Sequence, residues 1–206
     1  MYTPDLFNVK DSAAITSFMV KHSFATIVTC DEGIPHATHM PVLYDPDRGG
    51  KAALVSHLAR GNPQWRHFEN GREVLVIFTG PHAYISPAWY VKTPAVPTWN
   101  YTAVHAYGVP RVVTDRAEFS TMLRDLIEFY EAHRMDRWPA EMPDEFFDRL
   151  MQGIVGVEIT ITRIEAKFKL SQNRPDDQPG VIAALSASAE QTDRDIAELM
   201  KQTLKS

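Results

Sequence analysis

One cysteine, Cys30, is all that 206 residues contain. An internal disulfide and any CxxC chemistry are thereby excluded, and a lone thiol suits a reducing compartment or indifference to redox. Long apolar runs are missing too. No stretch reaches the roughly 18 uninterrupted apolar residues that a membrane span needs, and residues 1–10 hold no signal-peptide apolar segment. The expected location is therefore the cytoplasm, with no membrane partner. Positive charge is not in excess: 21 Lys and Arg against 26 Asp and Glu give −5, which removes a general electrostatic pull toward nucleic acid or anionic lipid. HExxH, GxGxxG and P-loop patterns do not occur, nor do internal repeats or a low-complexity tail. His36 and His39 lie three apart in a strand-like segment, hence on opposite faces, which argues against a shared metal. Ser86, His133 and many other residues would assemble a triad on paper equally well, so no catalytic residue is assigned.

What is present is an ordinary globular composition, 44% hydrophobic and 23% charged, in a chain long enough for one sizeable core. Residues 78–105 stand out. They hold six aromatics (Phe78, Tyr84, Trp89, Tyr90, Trp99, Tyr101) and four prolines, with Lys92 as the one formal charge. Proline fixes φ and removes a donor, so this stretch is expected to be held in defined turns with few ladder hydrogen bonds. An aromatic, nearly uncharged surface suits a flat heterocycle; core packing is the alternative for any single ring.

Along the chain, Ile15, Phe18 and Met19 have helical spacing over 10–22, behind Asp11 or Ser12 as cap. A strand over 23–30 turns at Glu32-Gly33 into another over 35–44. Turn residues fill 45–50, and strands follow at 52–57 and 72–78. Residues 98–107 alternate, with Trp99, Tyr101, Ala103, His105 and Tyr107 on one face. Asp115 to Glu118 resembles a capping box ahead of Phe119, Met122, Leu123, Leu126, Ile127 and Tyr130 in an amphipathic helix. A linker over 137–143 leads to a helix at 144–152 closed by Gly153. A long strand covers 154–170, and a last helix runs from about 188 to 204 through Ile196, Leu199, Met200 and Leu204.

Two segments carry chemistry. In 57–65 (HLARGNPQW) a strand enters a donor-rich turn and Pro63 opens a short helix; Arg60 offers a planar fork that matches phosphate, or is a surface loop arginine. In 167–171, Lys167, Lys169 and Ser171 project from one strand face while Phe168 and Leu170 face the other way. Two lysines so close repel unless an anion lies between them. The alternative is a solvated edge strand, which lysines commonly blunt.

The segments SHLARGNPQW (56–65), GPHAYISPAWY (80–90), VPTWNYTAVHAYG (96–108) and KFKLSQNR (167–174), in this order, resemble the PaiB-type FMN-binding negative transcriptional regulators. The resemblance spans nearly the whole chain, departing at Ser56 and Ala166, where the family usually has glycine, and at Gly61, where it usually has alanine. It implies an α+β fold: a mainly antiparallel split β-barrel of the pyridoxamine-phosphate-oxidase and flavin-reductase kind, with helical appendages. The expected organisation is one FMN-binding domain over 1–206 with a helical extension from about 178. It further implies a homodimer with FMN at the subunit boundary. The cofactor-binding residues it marks are His57, Arg60, Asn62, Gln64, Trp99, Asn100, Lys167, Lys169, Ser171 and Gln172. Arg60 with Lys167 or Lys169 would meet the phosphate, at ~1.5–3 kcal/mol per charge-assisted hydrogen bond. Trp99, Trp89 or Tyr84 would meet the ring, at ~0.5–1.5 kcal/mol beyond burial.

Two functions follow from that resemblance. The first is a negative transcriptional regulator, although the charge balance does not support direct DNA binding and no helix-turn-helix is visible. The second is a flavin-dependent oxidoreductase, for which His57, His82 and His105 are the available proton donors.

Overall fold

The computed structural model describes residues 1–132, 134–136 and 143–204. The helices are α1 (Ser12–Lys21), α2 (Arg116–Glu131), α3 (Asp144–Gln152), α4 (Gln178–Ser186) and α5 (Gln191–Thr203). The strands are β1 (Phe24–Asp31), β2 (Ile34–Pro41), β3 (Leu43–Asp45), β4 (Ala53–Ala59), β5 (Val74–Ile85), β6 (Thr98–Val113) and β7 (Ile154–Lys169). They form one sheet in the order β2-β1-β5-β6-β7-β4-β3. Of the expected 137–143 linker, residues 137–142 lie outside the described residues, as does His133. No helix among the described residues is long and apolar enough to cross a membrane.

The elements form for local reasons. The Asp11 carboxylate caps α1 by accepting from the Ala13 N–H at 2.9 Å. The β1–β2 hairpin closes on Glu32 (φ 48°) and Gly33 (φ 81°), two consecutive left-handed residues whose twist matches the strands. Asp115 caps α2 by accepting from the Glu118 N–H at 2.8 Å. Half of the expected capping box is therefore formed, while the Glu118 carboxylate turns elsewhere.

Three expectations are corrected. β5 does not stop at Phe78 but runs through Gly80 and Pro81 to Ile85, so the turn-rich character of 78–105 is confined to Ser86 through Pro97. Within the stretch expected as a helical extension from about 178, where residue spacing points to one helix, there are two: α4 precedes α5, and its Pro179 occupies the first helical turn, where no N–H partner is needed. Finally, β7 lies between β6 and β4 over 154–160, and at its far end Lys167 is bridged by Asn8 and buried, so it does not blunt a solvated edge.

The chain divides into two compact units, and β5, β6 and β7 contribute residues to both. The unit formed by Met19–Phe78 and His105–Ile164 buries Phe119, Met122, Leu123 and Leu126 of α2 with Phe147 and Met151 of α3 and with Val55 and Val113 of the sheet. Each such side chain contributes about 1.5–3 kcal/mol on burial. Gly156 on β7 makes the close approach possible: a Cβ there would stand 2.6 Å from the Phe119 ring. A four-charge network braces the same unit. Glu158 of β7 accepts from Arg111 Nε at 3.0 Å and Nη2 at 2.8 Å, and from Arg48 Nε. Glu118 accepts from Arg48 Nη2 at 3.3 Å and from both terminal nitrogens of Arg111.

The unit formed by Met1–Phe18, Thr79–Val104 and Glu165–Ser206 has its own core, in which Ala83, Ile85, Tyr90 and Leu170 meet Val181, Leu185, Ile196 and Met200 of the two last helices. The Ser86-to-Pro97 segment is held by Asp177, a buried carboxylate that accepts from the Val91 N–H at 2.8 Å and the Lys92 N–H at 3.3 Å. Gly180 of α4 lies so close to the Trp89 carbonyl that a Cβ would stand 2.3 Å from it.

Candidate functional site

The ten residues marked in the sequence fall into two groups, one in each unit. His57, Arg60, Asn62 and Gln64 lie where β4 runs into the 3-10 helix Pro63–Asn70. Asn62 is its cap, accepting from the Gln64 N–H at 3.0 Å and donating Nδ2 to Thr38 Oγ1 at 2.8 Å. Gln64 is buried; its Nε2 donates to Thr29 Oγ1 at 3.0 Å and to the His36 carbonyl at 3.1 Å. These two amides thus stitch the turn to the β1–β2 hairpin. Arg60 directs its fork at main chain, with Nε donating to the Gln152 carbonyl at 2.7 Å and Nη2 to the Ile154 carbonyl at 2.8 Å. It secures the entry to β7. His57 lines a recess with Leu123, Leu126, Tyr130 and Phe147; burial pushes its imidazole below the usual range, and its Nδ1 has no partner among the described residues.

The family departures are accommodated here. Ser56 donates its buried hydroxyl to the Pro41 carbonyl, and a Cβ at Gly61 would meet open space.

The second group lies on β6 and β7. Alternation along β6 is as the sequence predicts, but the buried face is the small and polar one: Asn100, Thr102, Val104 and Ala106 are inside. Trp99 is 52% exposed, with Tyr84 (47% exposed) 5.8 Å away edge-on and His82 at 6.1 Å. An outward aromatic cluster on a strand is a stacking surface.

Lys167 is only 7% exposed. Its ammonium donates to the Tyr2 carbonyl at 3.0 Å and sits 5.2 Å above the Tyr101 ring, a cation–π arrangement. Lys169 donates to the Trp99 carbonyl at 2.7 Å and to Thr98 Oγ1. Burial, and then the neighbouring charge of Lys167, hold the Lys169 ammonium below its usual range. Among the described residues neither lysine has a carboxylate partner, so both keep an uncompensated charge.

Ser171 breaks the expected alternation. Its φ of 61° is left-handed, and this bend turns the hydroxyl to Asn100, which donates to it at 2.9 Å and accepts from it at 3.2 Å. Gln172 closes the bend, accepting from the Leu170 N–H and donating to the Phe168 carbonyl, both at 2.6 Å. Sequence reasoning left out Arg174, Tyr90 and Asp177. Arg174 carried a signal as the last residue of KFKLSQNR, and Tyr90 as the last of GPHAYISPAWY; Asp177 carried none. Its guanidinium sits 4.7 Å over the Tyr90 ring and donates to Asp177 at 3.2 Å.

The residues of this unit suit a phosphate-bearing flavin: cations without acids for the phosphate, and exposed rings for the heterocycle. The flavocytochrome Anf3 from Azotobacter vinelandii superposes with a TM-score of 0.60 at 12% identity, over 79% of this chain and 69% of that one. The FAD and heme binding protein from Mycobacterium smegmatis does so at 0.59 and 17%, over 79% and 73%. Those likenesses are of fold, and the class is an α+β split β-barrel, mainly antiparallel, with helical appendages. In sequence, the family described as "Putative FMN-binding domain" matches residues 1–163. The "Protease synthase and sporulation protein PAI 2" of Bacillus subtilis (strain 168) is 40% identical over 208 residues, 100% of this chain and 99% of that one. The chain belongs to this family, and its cofactor is FMN.

Proposed function

We propose that the protein is a cytoplasmic, homodimeric negative regulator of transcription that works through bound FMN. The observation that carries the flavin part is the uncompensated pair Lys167 and Lys169 beside the exposed Trp99 cluster. In this reading Lys169 binds the phosphate and Trp99 packs on the ring. Asn100, Ser171 and Gln172 shape the surrounding surface, while His57, Arg60, Asn62 and Gln64 are assigned to FMN by the family motif alone. FMN supplies redox chemistry when bound; the chain's own residues bind, orient and shield it. The regulatory part is supported by the Bacillus subtilis relative, whose name ties it to protease synthesis and sporulation.

Direct DNA contact is assigned a small share. Many basic groups are already answered by acids: Arg48 and Arg111 by Glu118 and Glu158, Arg116 by Asp148, Lys92 by Asp176, Lys201 by Glu198. With −5 overall, few phosphates would be neutralised, and promoter affinity should start low and fall steeply with salt.

Flavin-fluorescence titration tests the cofactor reading. Lys169→Ala or Arg60→Ala should weaken FMN about 10- to 150-fold, the equivalent of about 1.5–3 kcal/mol, and leave riboflavin nearly unchanged. Trp99→Ala should weaken both ligands alike. Equal losses for FMN and riboflavin in the Lys169 variant would reject the phosphate role. For regulation, deleting the gene should raise a set of transcripts that wild type restores and Lys169→Ala does not; unchanged transcripts would remove the regulator reading. Light scattering on the same samples should give twice the 23.3 kDa chain mass, and a monomer with and without FMN would remove the dimer.

A further inference from the structure

A small recess in the unit containing β6 and the end of β7 is lined by Tyr90, Thr98, Asn100, Lys169, Ser171 and Arg174, among others. Its volume is about 180 Å³. That is below the roughly 300–1,000 Å³ of pockets that enclose drug-sized ligands, and it equals about six waters at roughly 30 Å³ each. It has room for a headgroup and not for a ring system. Two lining residues are cations and none is an acid. Lys169 has three N–H donors and places one on Thr98 and one on Trp99. Arg174 has five and places one on Asp177. Tyr90 brings a buried hydroxyl with no partner among the described residues, and burial raises its proton affinity so that it stays a donor. Spare donors on both cations and the uncompensated charge of Lys169 around a recess of this size match a tetrahedral oxyanion.

We infer that this recess is a phosphate pocket, for a phosphate monoester or free phosphate, in which Arg174 is the second cation beside Lys169 and the Tyr90 hydroxyl a neutral donor. For the monoester case the inference rests on the flavin reading above. Asp177 is a positioning residue. From 2% exposure it holds the guanidinium against the Tyr90 ring while its other oxygen fixes the Val91 and Lys92 amides, so one carboxylate sets both walls of the recess. The Ser171 bend sets the third.

The test measures FMN and riboflavin by fluorescence, and inorganic phosphate by calorimetry, on wild type, Arg174→Gln and Asn173→Asp. Asn173 lines the rim and is exposed, so its variant adds a repelling charge without disturbing the fold; circular dichroism checks both. If the pocket holds the flavin's phosphate, both variants weaken FMN about 10- to 150-fold, riboflavin is unmoved, and inorganic phosphate competes with FMN only. If it holds free phosphate, both variants abolish phosphate binding while FMN and riboflavin bind as in wild type; the inference then stands and the Lys169–FMN assignment falls. The inference is overturned if neither variant changes FMN or phosphate affinity, even where Lys169→Ala still weakens FMN. Riboflavin losses equal to those of FMN would overturn it as well. Should Arg174→Gln fail to fold, Asn173→Asp alone decides.

Discussion

Glu158→Gln is expected to lower the unfolding free energy by about 3 kcal/mol, the low end of what breaking a buried ion pair costs. Glu158 is 7% exposed and receives three donors from two arginines. Glutamine keeps the shape but presents an N–H where both guanidinium groups need an acceptor. The low end applies because Arg48 and Arg111 still reach water. A urea titration reads the effect as a lower midpoint at unchanged slope; a loss under about 1 kcal/mol would show that Glu118 carries the network alone. Glu118 also sets a pH dependence. The Arg111 hydrogen bond holds its carboxyl below the usual 4.5. A depressed folded-state pKa contributes stability that is fully present above the unfolded value and is lost as pH falls through the folded one. Acidification below about pH 4.5 should therefore destabilise wild type more steeply than Glu118→Gln, in which this contribution is already missing.

Gly180→Ala is the second large effect. Gly180 is helical, and alanine would favour the helix by about 1 kcal/mol if space allowed. It does not: the added carbon would stand 2.3 Å from the Trp89 carbonyl oxygen, and a main-chain atom cannot rotate aside. Overpacking of this kind costs about 1–3 kcal/mol net or more. The strain falls on the segment that presents Tyr90, so FMN affinity should drop together with the melting temperature. A higher melting temperature with unchanged FMN affinity would show that the Trp89 segment yields freely.

Legibility followed range. α2 was readable because its core residues repeat at helical spacing within 16 residues and Asp115 announces its start. The Glu32-Gly33 hairpin was readable from two residues. β5 was cut short because Gly80-Pro81 reads as a break; here the proline sits inside the strand and its carbonyl accepts from Thr102 Oγ1 at 3.3 Å. Within the expected helical extension, α4 was not picked out by spacing because Gln178-Pro179-Gly180 spells a turn, although the proline occupies a position where helices accept it. The flavin motifs were legible as words; their contacts were not. Nothing in the spacing shows that Arg60 would spend its fork on the Gln152 and Ile154 carbonyls. Nor does it show that Tyr90 would meet Arg174, 84 residues away. The place of β7 in the sheet was hidden for the same reason, and so was the Asn8 bridge that leaves Lys167 buried rather than on a solvated edge.

That place has a consequence during synthesis. β1 and β2 can zip as soon as both have left the ribosome, and so can β3 and β4. The other side of β4 pairs with β7, Ala53 opposite Thr160, a separation of 107 residues. At about 5–20 residues per second, that strand waits on the order of 5–20 s with one row of amides and carbonyls bare. Four of its seven residues (Ala53, Leu54, Val55, Leu58) are apolar and buried only later. The nascent chain is thus most open to chaperone capture, or to pairing with a neighbouring nascent chain, in the interval between β4 and β7.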